Sequence, residues 1–149
     1  MTTKEKIDND YVVAAKARDA FAVSVLRQLR AALKNAEIDK RKTLEEADVI
    51  EAIGREVKKL RDALESYRAG NREDLIKQAE AEMLFLEKYL PQQLTDDELN
   101  AVIREKVAAI GATTAKDFGR VMAEVSKATK GRADGAKVSA AVKQILSGV

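Results

Sequence analysis

Residues 50–90 read IEAIGREVKKLRDALESYRAGNREDLIKQAEAEMLFLEKYL, and this stretch decides the fold. Ile50, Ile53, Val57, Leu60, Leu64 and Tyr67 alternate in steps of three and four residues. That spacing lines one face of a helix and forms the seam of an antiparallel pair. Gly70 is expected to stop the helix in the left-handed region, and Asn71, with Asp74 three residues on, to cap the next. The segment that follows carries Leu75, Ala79, Met83, Leu86 and Leu90 at helical spacing, with Ile76 alongside. Two amphipathic helices joined by so short a connection must run antiparallel. The expectation is an αα-hairpin with residues 53–67 packed on residues 75–90.

Toward the N-terminus, a helix over about residues 3–18 places Ile7, Tyr11, Ala14 and Ala15 on one face. A second begins after Asp19 and carries Phe21, Val25, Leu29, Leu33 and Ala36, its stripe widened by Leu26 and Ala32. The run Asp39-Lys40-Arg41-Lys42 is a polar break, after which Thr43 and Glu46 have the spacing of a capping box. Toward the C-terminus, Pro91 ends the hairpin, and the Pro91-Gln-Gln-Leu-Thr95 segment is the best domain boundary. Three shorter helices are expected beyond it. The first is capped by Thr95 and Glu98, carries Leu99, Val102, Ile103, Val107 and Ile110, and stops at Gly111. The second is capped by Thr114 and Asp117, carries Phe118, Val121, Met122 and Val125, and stops at Gly131. The third is capped by Asp134 and carries Val138, Ala141, Val142, Ile145 and Leu146. Each is too short to be stable alone. The fold class is therefore all-α: an N-terminal antiparallel helical domain over 1–91 with its long hairpin, then a small three-helix domain over 92–149.

Composition agrees with this reading. Hydrophobic residues make up 46% of the 149 positions but aromatics only 4%, so the core is Ala, Leu, Val and Ile. Seven Gly and a single Pro leave few helix breakers. Cysteine and histidine are both absent, which removes disulfides, thiolate nucleophiles, the commonest general base and the usual zinc ligands. No motif supports a carboxylate-only Mg²⁺ site, no cofactor is implied and no catalytic site is visible. The opening MTTKEKIDND lacks the apolar core of a signal peptide, and no run approaches the ~18 apolar residues of a membrane span. A soluble, cytoplasmic protein without a membrane role is expected.

The net charge of +2 conceals an asymmetry. Residues 1–91 hold 18 Lys/Arg against 18 Asp/Glu, whereas from Gly111 onward there are 7 basic residues against 3 acidic. The sharpest point is Lys130-Gly131-Arg132-Ala133-Asp134-Gly135, where two cations flank a glycine just before a helix N-terminus. Helix N-termini offer backbone N–H groups to phosphates, and adjacent cations reinforce them. Lys127, Lys130, Gly131, Arg132, Gly135 and Lys137 are the candidate nucleic-acid-binding residues, with Lys116 and Arg120 as a flank. Each feature also has a purely structural reading: Lys near a helix C-terminus offsets the macrodipole, Gly is an ordinary stop and Asp an ordinary cap. Arg27, Arg30, Lys34 and the Lys40–Lys42 run read as a solvated face.

The order and spacing of Tyr89-Leu-Pro-Gln-Gln-Leu-Thr-Asp-Asp-Glu-Leu99, Gly111-Ala, Lys116-Asp-Phe-Gly-Arg-Val-Met122 and Lys130-Gly-Arg-Ala-Asp-Gly135 resemble the YqeY proteins. Ser24-Val-Leu-Arg27 and Asn71-Arg72-Glu-Asp-Leu75 fit the same family, and the likeness covers essentially the whole chain. YqeY proteins are similar to the C-terminal helical and tail region of GatB, the B subunit of glutamine-dependent aspartyl/glutamyl-tRNA amidotransferase. The likeness to GatB itself is strongest from Pro91 onward. The resemblance implies a helical domain joined to a three-helix tail that contacts tRNA. The family's glycine and basic positions would be Gly119, Arg120, Lys130, Gly131, Arg132, Asp134 and Gly135. Phe118 and Ala123 depart from the Met and Gly expected there. The resemblance also implies a carbon–nitrogen ligase label with glutamine as amido-nitrogen donor, which would describe the parent complex, because this chain has no ATP-binding domain and no glutaminase nucleophile. The implied partner is tRNA or a tRNA-handling enzyme. The competing reading is a helical protein-interaction adaptor that offers the hairpin to a partner helix.

Overall fold

Among the described residues, seven α-helices carry the regular structure: α1 (Thr3–Lys16), α2 (Ala20–Lys40), α3 (Glu46–Ala69), α4 (Glu73–Glu87), α5 (Asp96–Ile110), α6 (Phe118–Thr129) and α7 (Gly135–Ser147). A single 3₁₀ turn, Ala115–Asp117, precedes α6. The computed structural model describes residues 1–148, and none of them is in a strand. The helices fall into two compact units, Met1–Leu90 and a second that starts at Pro91.

In the first unit, α3 and α4 form the expected hairpin. Ile53, Val57 and Leu64 on α3 and Ala79 and Leu86 on α4 are buried, while Leu60, Met83 and Leu90 pack at the margin of the core. The α1–α2 pair runs antiparallel, as its cross-helix ion pairs show: Lys4 to Glu37 at 2.6 Å and Arg30 to Asp8 at 3.0 Å. Ile7, Leu26, Leu29 and Ile53 are almost fully buried where the helices meet. Burial of each such side chain favours folding by about 1.5–3 kcal/mol. Phe21, Phe85 and Tyr89 form an edge-to-face ladder with centroid separations of 5.9 and 6.2 Å. The Tyr89 hydroxyl donates to Asp10 at 2.5 Å, and burial together with that carboxylate raises the phenol pKa well above its usual value.

Three expectations about helix ends are corrected. The helix after the polar break starts at Glu46, with the Glu45 N–H donating to Asp48 at 3.0 Å, and Thr43 does not cap it. Thr43 and Leu44 lie outside any helix, and Leu44 is buried in the core of the unit. Gly70 is not left-handed; its φ is −90°, and Asn71 at φ 52° makes the turn. The helix runs one residue further than the glycine suggested, and the Arg72 N–H then reaches back to the Tyr67 carbonyl at 3.0 Å. Consequently Arg72 occupies the N-cap of α4, and neither Asn71 nor Asp74 caps it as expected.

The second unit is a three-helix bundle. Its core is Leu99 and Ile103 from α5, Val121 and Val125 from α6, and Val138, Val142 and Leu146 from α7. Thr95 accepts the Glu98 N–H at 3.1 Å to open α5, and Gly111 at φ 76° closes it. Thr114 and Asp117 form the expected box, which opens the 3₁₀ turn and not α6 directly. The Asp117 carboxylate accepts N–H groups from Thr113 and Thr114 at 3.1 and 3.4 Å. Those two bonds, and Arg120 beside them, lower its pKa.

Candidate nucleic-acid interface

The Lys-Gly-Arg segment is built from the end of α6 outward. Thr129 is buried, and its hydroxyl donates back to the Val125 carbonyl at 2.8 Å, which satisfies it without water. Lys130 then has φ −55° and ψ 125°, Gly131 has φ 77°, and the Arg132 N–H closes on the Thr129 carbonyl at 2.8 Å. This is a type II turn, whose third position demands a positive φ and so favours glycine. Gly131 is therefore required by the turn itself.

The same turn holds the segment that precedes α5. The Leu94 N–H donates to the Arg132 carbonyl at 2.8 Å, Gln93 Nε2 donates to the Gly131 carbonyl at 3.0 Å, and Arg132 Nε donates to the Gln92 carbonyl at 3.3 Å. Arg132 is thus partly committed to structure. Sequence reading missed Gln92, Gln93 and Leu94 as partners of this turn. The proline and the two amides looked like an ordinary linker, and no local pattern announces a bond 38 or 40 residues away.

The eight expected binding residues fall at two ends of the three-helix unit. Lys127, Lys130, Gly131, Arg132, Gly135 and Lys137 gather where α6 ends and α7 begins. Arg120 lies ten residues before Lys130, about 15 Å along the helix axis. Its guanidinium faces Asp117 at 3.3 Å and the Ile110 carbonyl at 3.5 Å, at the α5 C-terminus. Lys116 sits in the neighbouring 3₁₀ turn, exposed. On α6, Arg120 and Lys127 are seven apart and both lie opposite the buried Val121–Val125 face, so they share an outward stripe.

Carboxylates stand beside several of these cations in the fold, one of them, Asp96, from outside the basic third. Lys137 pairs with Asp96 of the α5 first turn at 2.7 Å, and Lys127 lies 3.8 Å from Glu124. Asp134 takes the N-cap position of α7, but its carboxylate makes no capping hydrogen bond to the first-turn amides. At Gly135 an added Cβ would meet nothing within 4 Å, so the approach to that helix end is sterically open. The arrangement offers exposed cations and main-chain donors to an anion, set among carboxylates. Among the described residues, no group of three or more Asp or Glu is placed to share a metal ion. No helix among them is long and apolar enough to cross a membrane.

These features define an all-helical protein of two compact units, the second carrying cations around a glycine turn. A family model described as Yqey-like protein matches residues 4–146, and the chain belongs to the YqeY family. No curated protein matches it.

Proposed function

We propose that this chain is a stand-alone module resembling the GatB tail, that it binds tRNA in the cytoplasm, and that it serves tRNA-dependent amidotransfer without an active site of its own. In this reading the carbon–nitrogen ligase chemistry belongs to other polypeptides, and a tRNA-handling enzyme is the protein partner. The observation that carries it is the α6–α7 turn: Lys127, Lys130 and Lys137, all exposed, flank in sequence a sterically open helix N-terminus whose N-cap side chain makes no capping hydrogen bond. Family membership supports the same reading. Recognition would be led by shape and phosphate, and hence sensitive to salt. The adaptor alternative is less favoured, because the regular seam it would offer is consumed between α3 and α4.

The test is filter binding of bulk tRNA to wild type and to Lys127→Ala/Lys130→Ala. Both side chains are exposed, and the turn's main-chain bonds do not involve them. Arg132→Ala would be a poorer probe because it also removes the bond to Gln92. The double variant should lose affinity and flatten the salt dependence by about two contacts' worth. Equal affinity would sink the assignment.

A further inference from the structure

The first unit carries a second cationic surface with different construction. Arg27, Arg30 and Lys34 lie three and four residues apart on α2, on one stripe. Of the two acids of α2, Glu37 continues the stripe one turn beyond Lys34 and is engaged by Lys4 at 2.6 Å, with Lys34 also acting on it, whereas Asp39 lies off the stripe and lines a cleft with Asn35, Ala36 and Arg55. Neither Arg27 nor Lys34 forms an ion pair within 4 Å among the described residues, although most exposed cations of α3 have a carboxylate beside them. Three like charges at this spacing repel one another, a cost that Asp8 offsets at Arg30 and that a bound anion would relieve further.

Arg30 is also held in place. Its Nε donates to Asp8 at 3.0 Å, and its guanidinium stacks over the Tyr11 ring at 4.4 Å from the centroid. Neither terminal nitrogen of Arg30 makes a hydrogen bond among the described residues. Arg27 lies against the Tyr11 hydroxyl and, with Arg30, lowers its pKa. A guanidinium fixed in this way loses little rotamer freedom on binding, and its planar fork matches two oxygens of a phosphate.

We propose that Arg27, Arg30 and Lys34, ordered by Asp8 and Tyr11, form a phosphate-binding stripe on the N-terminal unit that takes the backbone of an RNA. The stripe contains no base-reading side chains and would bind without sequence preference. It rests on the reading of this chain as an RNA-binding module, but its residues are separate from the α6–α7 turn. The experiment is fluorescence anisotropy of labelled bulk tRNA with the full chain, across a salt series, with circular dichroism verifying that each variant stays folded. Arg27→Ala/Lys34→Ala should weaken binding roughly tenfold or more near 0.1 M salt and lower the salt slope by about 2. Arg30→Lys, which keeps the charge and loses the fork, should weaken binding several-fold at an unchanged slope. Unchanged affinity and slope in the stripe variants, beside a loss in Lys127→Ala/Lys130→Ala, would overturn the stripe and leave the turn standing. The reverse pattern would support the stripe and remove the turn. Binding of phosphatidylglycerol vesicles without binding of tRNA would overturn the RNA assignment for both.

Discussion

Replacing Gly131 by Ala separates the two reasons a glycine can sit in a turn between two cations. The backbone there has φ 77°, in the left-handed region that an L side chain enters at a cost of about 1–2 kcal/mol. A helical glycine is the natural control. Gly119 is exposed on α6 with nothing within 4 Å of an added Cβ, so Gly119→Ala should stabilise by about 0.5–1 kcal/mol through helix propensity alone. The pair of substitutions adds one methyl each within the same unit, yet the expected signs are opposite. Urea unfolding followed by far-UV circular dichroism reads the difference. With a slope of ~1–3 kcal/mol/M, Gly131→Ala should lower the midpoint by roughly 0.5–1 M and Gly119→Ala should raise it slightly. Amide exchange gives a local check, because the Leu94 and Arg132 N–H groups are both tied to this turn. Their protection should fall in Gly131→Ala by about 5- to 30-fold and not in Gly119→Ala. An unchanged midpoint and unchanged protection in Gly131→Ala would refute the type II assignment. If tRNA affinity fell at the same time, the glycine would instead be serving close approach of the ligand.

Two further outcomes follow from the packing and the charge pairs. Asp48 accepts Lys40 at 2.7 Å, Lys42 at 3.4 Å and the Glu45 N–H, and these partners, Lys40 foremost, hold its carboxyl well below the usual carboxylate range. A carboxyl depressed in the folded state contributes stability that is present above the unfolded pKa of about 4 and lost as pH falls below it. Melts of Asp48→Asn between pH 2 and 5 should therefore show a flatter acid limb than wild type, and an identical limb would contradict the pairing. Ile103→Ala removes a fully buried side chain from the second unit and should cost about 2–5 kcal/mol, with amide protection lost first in α5–α7. Equal loss in α3 and α4 would show that the two units unfold as one.

The helices and both cores were legible because burial follows a period: Ile53, Val57 and Leu64, or Leu99, Ile103 and Val107, repeat every turn whatever lies across from them. The helix ends were less so. A glycine signals that a left-handed residue is permitted and not that one is present, and here Arg18, Arg41 and Asn71 take those conformations while Gly70 does not. The cations of the candidate site could be counted from the sequence, but their surroundings could not. Lys137 finds Asp96 only when α5 and α7 begin at the same end, and Arg132 finds Gln92 only when the linker lies across the turn. The contacts of Arg30 with Tyr11 and Asp8, on another helix, have no signal in the sequence of α2.

The hydrogen bond between Tyr89 and Asp10 joins residues 79 apart, the two extremities of the first unit. It has a consequence for synthesis. The α1–α2 pair is local and can associate as soon as residue 40 is clear of the ribosome, but the partner that seals α1 is among the last residues of the unit to be made. Until Tyr89 emerges, the floor of that pair, including Ile7, Leu26 and Leu29, lacks its covering helices and stays open to water or to a chaperone. Closure of the N-terminal unit is thus timed by the last turn of the hairpin.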